Sequence, residues 1–145
     1  MSYSSILVAI DINDANHARS ALKAARFIKK GGSGGTKVHI FYVRYFLPHN
    51  YEGVITSDFD SQERTEALNL IAEWQSEFGL EDATVATHRG RVRDQVLDEA
   101  AQIGADLIII GSRQPSLSSR LLGSNAAAIA RNSPVSVLIA RFDEA

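Results

Sequence analysis

Residues 104–131 read GADLIIIGSRQPSLSSRLLGSNAAAIAR. Leu107 to Ile110 is an unbroken apolar run of strand length, rich in β-branched residues, as expected of a strand covered on both faces. Gly111 and Ser112 end it. A polar connection follows, and Gly123-Ser124 opens an alanine-rich segment that reads as a short helix. Strand, connection and helix in that order form part of a parallel βαβ unit.

The same alternation extends in both directions. Ile6 to Ile10 (ILVAI) is a second all-apolar run, cut off by the polar stretch DINDAN. From Ala15 to Lys30, apolar Ala18, Ala21, Leu22, Ala25 and Ile28 recur every three and four residues, an amphipathic helix with Asn13 or Asp14 available as its cap. GGSGG (Gly31 to Gly35) is a loose connection to the next strand, Lys37 to Arg44. Tyr45 to Phe59 forms a longer irregular loop. Asp60 followed by Glu63 resembles a capping box for a helix whose Ala67, Leu70, Ile71, Trp74 and Phe78 share a face until Gly79. Ala83 to Arg89 alternates as a half-covered strand, and Gly90 ends it. Val92, Val96, Leu97, Ala100 and Ile103 mark another helix closed by Gly104, and Val135 to Ala140 (VSVLIA) is the last strand. Five strands with helices between them give an α/β fold with a parallel sheet and right-handed crossovers.

The 145 residues suit one domain, residues 1–145. A net charge of −2 offers no field to draw a polyanion, so nucleic acid and anionic membranes are not expected partners. The chain has no cysteine, which removes disulfides and thiolate metal sites and agrees with a reducing compartment. The opening residues carry no basic leader and no run approaches the about 20 apolar residues of a membrane span, so a cytoplasmic location is expected.

In an open parallel sheet, ligands bind outside the carboxyl ends of the strands where the strand order reverses. Gly111, without a Cβ, allows a ligand or a neighbouring backbone to approach closely, and Ser112 adds a hydroxyl. Gly123 and Ser124 open a helix whose amino terminus presents unpaired N–H groups, a setting suited to phosphate. Arg113 and Arg120 in the connection, and Arg91 and Arg93 after the third strand, could neutralise phosphates. Asp11, at the end of the first strand, could accept from ribose hydroxyls, help hold a divalent cation, or cap the following helix.

Other motifs fail. GGSGGTK is not a P-loop, because Thr36 separates Gly35 from Lys37 and the run precedes a strand. No G-x-G-x-x-G opens the first helix, and DINDAN lacks the glycine and glutamate of a calcium loop. His17, His39, His49 and His88 lack zinc-ligand spacing, and His39 and His88 fall in strands where structural roles are commoner. Asp94, Asp98 and Glu99 share a helix as a solvated face. No catalytic constellation assembles.

Together, ILVAID, RGRVRDQV, GADLIIIGSRQPSLSSRLLGSNAAAIAR and SPVSVLIAR resemble the universal stress protein family, especially its small single-domain F- and G-type bacterial members. The resemblance implies a five-stranded sheet in the order 3-2-1-4-5 with helices on both faces, the adenine nucleotide alpha hydrolase-like fold. It also implies ATP, or AMP or ADP, bound across the ends of strands one and four, with or without Mg2+. By motif position, Asp11 would meet the ribose or metal, Val43 would pair its backbone with adenine, and Gly111, Ser112, Arg113, Gly123, Ser124 and Asn125 would surround the phosphates. Gly90 would border the same cleft. The ATP-binding branch typically spaces glycine, two residues, glycine, nine residues, then glycine with serine or threonine. Here Gln114 replaces the second glycine and eight residues, Pro115 to Leu122, precede Gly123, a shorter form shared by the F- and G-type members.

Three functions follow from these residues together with the resemblance. The first is a regulatory stress-response module that binds an adenine nucleotide. The second is a slow ATPase or self-modifying enzyme working near Asp11. The third is a nucleotide-free protein acting through its dimer surface, since the last strand, Val135 to Ala140, is an apolar edge that a homodimer would cover.

Overall fold

The computed structural model describes residues 3–32, 34–45, 57–112 and 123–141. Along the chain run β1 (Ser5–Ile10), α1 (Ala15–Gly31), β2 (Lys37–Tyr45), α2 (Ser57–Phe78), β3 (Thr84–Gly90), α3 (Val92–Ile103), β4 (Leu107–Gly111), α4 (Ser124–Asn132) and β5 (Ser136–Ala140). The strands form one parallel sheet in the order β3-β2-β1-β4-β5. The α/β fold with order 3-2-1-4-5 expected from the sequence is the one observed. No described helix is long and apolar enough to cross a membrane.

The apolar run of β1 takes the centre because both of its faces are covered. Ile6, Val8 and Ile10 turn to one side, where they pack with Ala18 and Leu22 of α1 and Ile71 and Trp74 of α2. Leu7 and Ala9 turn to the other, toward Phe41 of β2, Val96 and Ala100 of α3, and Ile129 of α4. Ile6, Leu7 and Val8 have no solvent exposure, and each such side chain contributes about 1.5–3 kcal/mol relative to an exposed one. In register, Val8 lies between Ile40 and Ile109.

Three local features fix the helices. Asp14 is the cap of α1, its carboxylate accepting the His17 N–H at 3.1 Å. At the far end of α3, Gly104 adopts a left-handed φ of 69° that favours glycine. Asp106 then accepts N–H bonds from Ser4 at 2.9 Å and Ser5 at 3.0 Å, with a third from the Ser4 hydroxyl, and so ties the start of β4 to the start of β1.

Two sequence expectations are corrected. Helix α2 begins at Ser57, so Asp60 and Glu63 lie within it and do not form a capping box. Their partners come from the sheet: Arg44 Nη1 donates to Asp60 at 2.7 Å, and Arg89 Nη2 donates to Asp60 at 3.0 Å and to Glu63 at 2.8 Å. The Arg89 guanidinium, followed by that of Arg44, holds the Asp60 carboxyl below the usual carboxylate range. Glu99 is the second correction. It is buried, not part of a solvated face, with Oε2 2.7 Å from His39 Nε2. The other ring nitrogen of His39 lies 2.6 Å from Thr84 Oγ1, so this polar set fastens α3 to β2 and β3. Asp94 and Asp98 are exposed as expected.

Gly111 sits hard against a neighbouring backbone. A β-carbon there would lie 2.1 Å from the His17 carbonyl oxygen, so the close neighbour is the backbone of α1. Both atoms belong to packed elements, and neither can give way without moving the helix.

The substitution Gly111→Ala should therefore destabilise the protein by about 3 kcal/mol, as overpacking against backbone does, which a shift in the denaturant midpoint measures. Asp106→Ala should cost about 1–2 kcal/mol near neutral pH, since two backbone donors lose their acceptor. The Ser4 amide first, then the Ser5 amide and the Ser4 hydroxyl, hold the Asp106 carboxyl below its ordinary value. Its contribution is thus present above the unfolded carboxylate pKa of about 3.9 and lost as the pH falls through the lower folded value. Wild type and variant should converge in acid unfolding curves.

Candidate functional site

Where β1 and β4 diverge, the chain leaves β1 toward β2 and leaves β4 toward β5, and the two exits move apart. A cleft of about 540 Å³ opens there, within the roughly 300–1,000 Å³ of ordinary small-molecule sites. It gathers Asp11 from the end of β1, Val43 from β2, Gly111 and Ser112 from β4, and Gly123, Ser124 and Asn125 from the start of α4. Gly90 lies instead in an adjoining hollow with Arg91 and Arg93, and the hollow shares Val92, Ser124 and Asn125 with the cleft. Arg113, with Gln114 and Arg120, falls outside the described residues.

The α1 side of the cleft presents acceptors. Asp11 turns the chain out of β1: its Oδ1 accepts the Asn13 N–H at 2.9 Å and its carbonyl accepts the Asp14 N–H at 3.1 Å. Asp14 caps α1, leaving Asp11 as the half-buried carboxylate beside the sheet. The α4 side presents donors. Gly123 is the N-cap of α4, with φ −61° and ψ 155°, an extended conformation open to any residue. Its glycine supplies no side chain to cap the helix. The amides of the first turn are thereby left to an outside acceptor, at the positive end of the helix dipole.

Between the two sides lies an apolar wall that includes Phe41, Val43, Val96 and Ile129. The β1–β2 ladder ends at the Ile10–Tyr42 pair, so the Val43 peptide lies one residue beyond it on the β1 side. Ser112 is nine-tenths buried, and its N–H donates to the Ala140 carbonyl at 2.8 Å, which joins the cleft to the end of β5.

Sequence reading gave no cleft role to four polar residues that line it: Asn13, Asp14, His17 and Tyr42. Tyr42 alternates with the core residues Val38 and Ile40 and reads as an ordinary buried aromatic, yet its ring lines the cleft and its Oη accepts from Asn13 Nδ2 at 3.4 Å. Burial raises the Tyr42 phenol above its ordinary pKa, and the negative charges of Asp11 and Glu63 push it the same way. The hydroxyl therefore stays neutral and can donate. His17, weighed in the sequence only as a metal ligand, lines the cleft from the first turn of α1. Its position directly after the exit from β1 was the available signal. Among the described residues, no three His, Cys, Asp or Glu side chains cluster as a metal site.

The profile of the universal stress protein family matches residues 2–141. Universal stress protein G of Escherichia coli O157:H7 is 28% identical over 141 residues, which span 96% of this chain and 99% of that one. Among solved structures, universal stress protein UspA from Lactobacillus plantarum shares the fold with a TM-score of 0.76 at 21% identity, over 97% of this chain and 99% of that one. A universal stress protein solved in complex with cAMP gives a TM-score of 0.68 at 21% identity, over 99% of this chain and all of that one. With the sheet order and the family match over nearly its whole length, the chain belongs to the universal stress protein family.

Proposed function

We propose that this protein is a stress-response regulatory module that binds ATP, or the related ADP or AMP, in the cleft at the ends of β1 and β4. The observation that carries the reading is the uncapped amino terminus of α4, which faces the same cleft as Asp11 and an apolar wall. An adenine nucleotide has matching parts: a flat apolar base, ribose hydroxyls and an anionic tail. In this reading the base lies along Phe41, Val96 and Ile129 with its edge to the Val43 peptide. Asp11 accepts from the ribose, and phosphate meets the amides of Gly123 to Asn125 near Gly111 and Ser112, with Arg113 contributing from the connection. The family member in complex with cAMP supports an adenine nucleotide as the ligand class.

Mg2+ fits this donor set only as a companion of the nucleotide. The ion usually keeps phosphates and water with one or two carboxylates, and Asp11 would be that carboxylate. The Ser112–Ala140 hydrogen bond gives occupancy of the cleft a direct path to the edge strand.

We also propose a homodimer formed through that strand. β5 ends the sheet, and Val137, Leu138 and Ile139 are each only partly covered. A two-fold pairing of such edges closes the assembly.

Added ATP or AMP should raise the melting temperature with ligand concentration, as linkage requires. In Gly123→Asp the new carboxylate would cap α4 itself. The ligand-free protein should melt at or above the wild-type temperature, while the nucleotide-induced shift disappears. An unchanged shift in that variant, or no shift in the wild type at millimolar nucleotide, would reject the site. For the assembly, sedimentation at micromolar concentration should give the mass of two chains, and a monomer throughout would contradict the pairing.

A further inference from the structure

Beyond Ser124 and Asn125 a second hollow of about 500 Å³ adjoins the cleft and is nearly as large. One wall is the β3–α3 turn, Gly90 to Asp94, and the other is Ser124, Asn125 and Ala128 of α4. The two spaces share Val92, Ser124 and Asn125 as wall residues, so they adjoin at the first turn of α4. The charges along them differ. Among the described residues the cleft is lined by Asp11 and Asp14 and by no lysine or arginine. Among the described residues the hollow is lined by Arg91 and Arg93 against the single carboxylate of Asp94. Arg93 Nε donates to Asp94 at 3.2 Å, with both side chains about half exposed.

A first phosphate can be held by neutral donors alone, since the amides of α4 suffice for one anionic group. Each further phosphate adds negative charge that must be matched. A tail turned toward Asp11 and Asp14 would meet like charge, whereas a tail passing Asn125 reaches guanidinium groups whose planar forks fit phosphate oxygens. We infer that Arg91 and Arg93 are specificity-determining residues that hold the phosphates beyond the first, so that this protein distinguishes nucleotides by the length of their anionic tail. The inference rests on the adenine-nucleotide reading of the cleft.

The test is a set of dissociation constants for ATP, ADP and AMP, measured by calorimetry without divalent cations, for wild type, R91A/R93A and R91K/R93K. In the wild type, affinity should rise from AMP to ADP to ATP, with an ATP-to-AMP ratio of about tenfold or more, as charge-assisted hydrogen bonds to two further phosphates would give. In R91A/R93A the ratio should fall toward one, and R91K/R93K should retain part of it, because lysine keeps the charge without the fork. A wild-type ratio near one overturns the inference while leaving the adenine-nucleotide reading in place. So does an unchanged ratio in R91A/R93A, including the case where both affinities drop equally. Failure of the wild type to bind any of the three nucleotides overturns the reading of the cleft itself, and this inference with it.

Discussion

The backbone of α1 meets the backbone of β4 where the His17 carbonyl occupies the space a β-carbon on residue 111 would need. That contact decides where the first turn of α1 lies. Because the helix starts directly after β1 and rests on the end of β4, the exits of both strands are held side by side at the point where the sheet order reverses. The alanines that α1 buries, Ala18, Ala21 and Ala25, allow the same close approach further along. With α1 fixed on one side and α4 starting on the other, the cleft between them has a set width. Its polar groups then follow from chain direction: strand exits and an N-cap carboxylate on one side, helix amides on the other.

Charge is divided between the faces of the sheet in a way that matters for this cleft. Arg44 and Arg89, near the ends of β2 and β3, could have brought positive charge toward the strand ends. Instead both turn to Asp60 of α2, and Arg89 also engages Glu63, so their charge is spent on holding that helix to the sheet. The neighbouring turn, one residue after β3 ends, carries Arg91 and Arg93 on the α3 side, where the hollow opens. Tyr42 lies between these regions. Burial and the carboxylates of Asp11 and Glu63 raise the pKa of its phenol, so the cleft has a neutral donor beside the carboxylates of Asp11 and Asp14.

Much of the fold was legible because its signals are local. Continuous apolar runs at residues 6–10 and 107–110 can be satisfied only by strands covered on both faces, and the three-and-four spacing between Ala18 and Ile28 only by a helix lying on them. The resemblance to universal stress proteins supplied the strand order and drew attention to Val43, which periodicity alone would have left as core. What stayed illegible depended on partners distant in sequence. Asp60 and Glu63 have capping-box spacing, but two arginines from other strands claim them. Glu99 follows the exposed Asp98 by one position, a turn of about 100° around the helix, and its direction toward His39 depends on how α3 sits on β2. Gly111 offered both a ligand and a backbone as reasons for lacking a side chain, and only the packed structure shows that α1 is the neighbour. Tyr42 was hidden because a strand residue at the end of its ladder borders open space as well as core.

The central claim is that the cleft between the first turns of α1 and α4 is a seat for an adenine nucleotide. Amide chemical-shift mapping of the labelled protein during an ATP titration tests it most directly, because each face of the proposed site carries its own reporter. Saturable shifts should concentrate at Asp11, Val43, Ser112 and Gly123 to Asn125. Shifts confined to other surfaces, or an unperturbed spectrum at saturating ATP, would contradict the account.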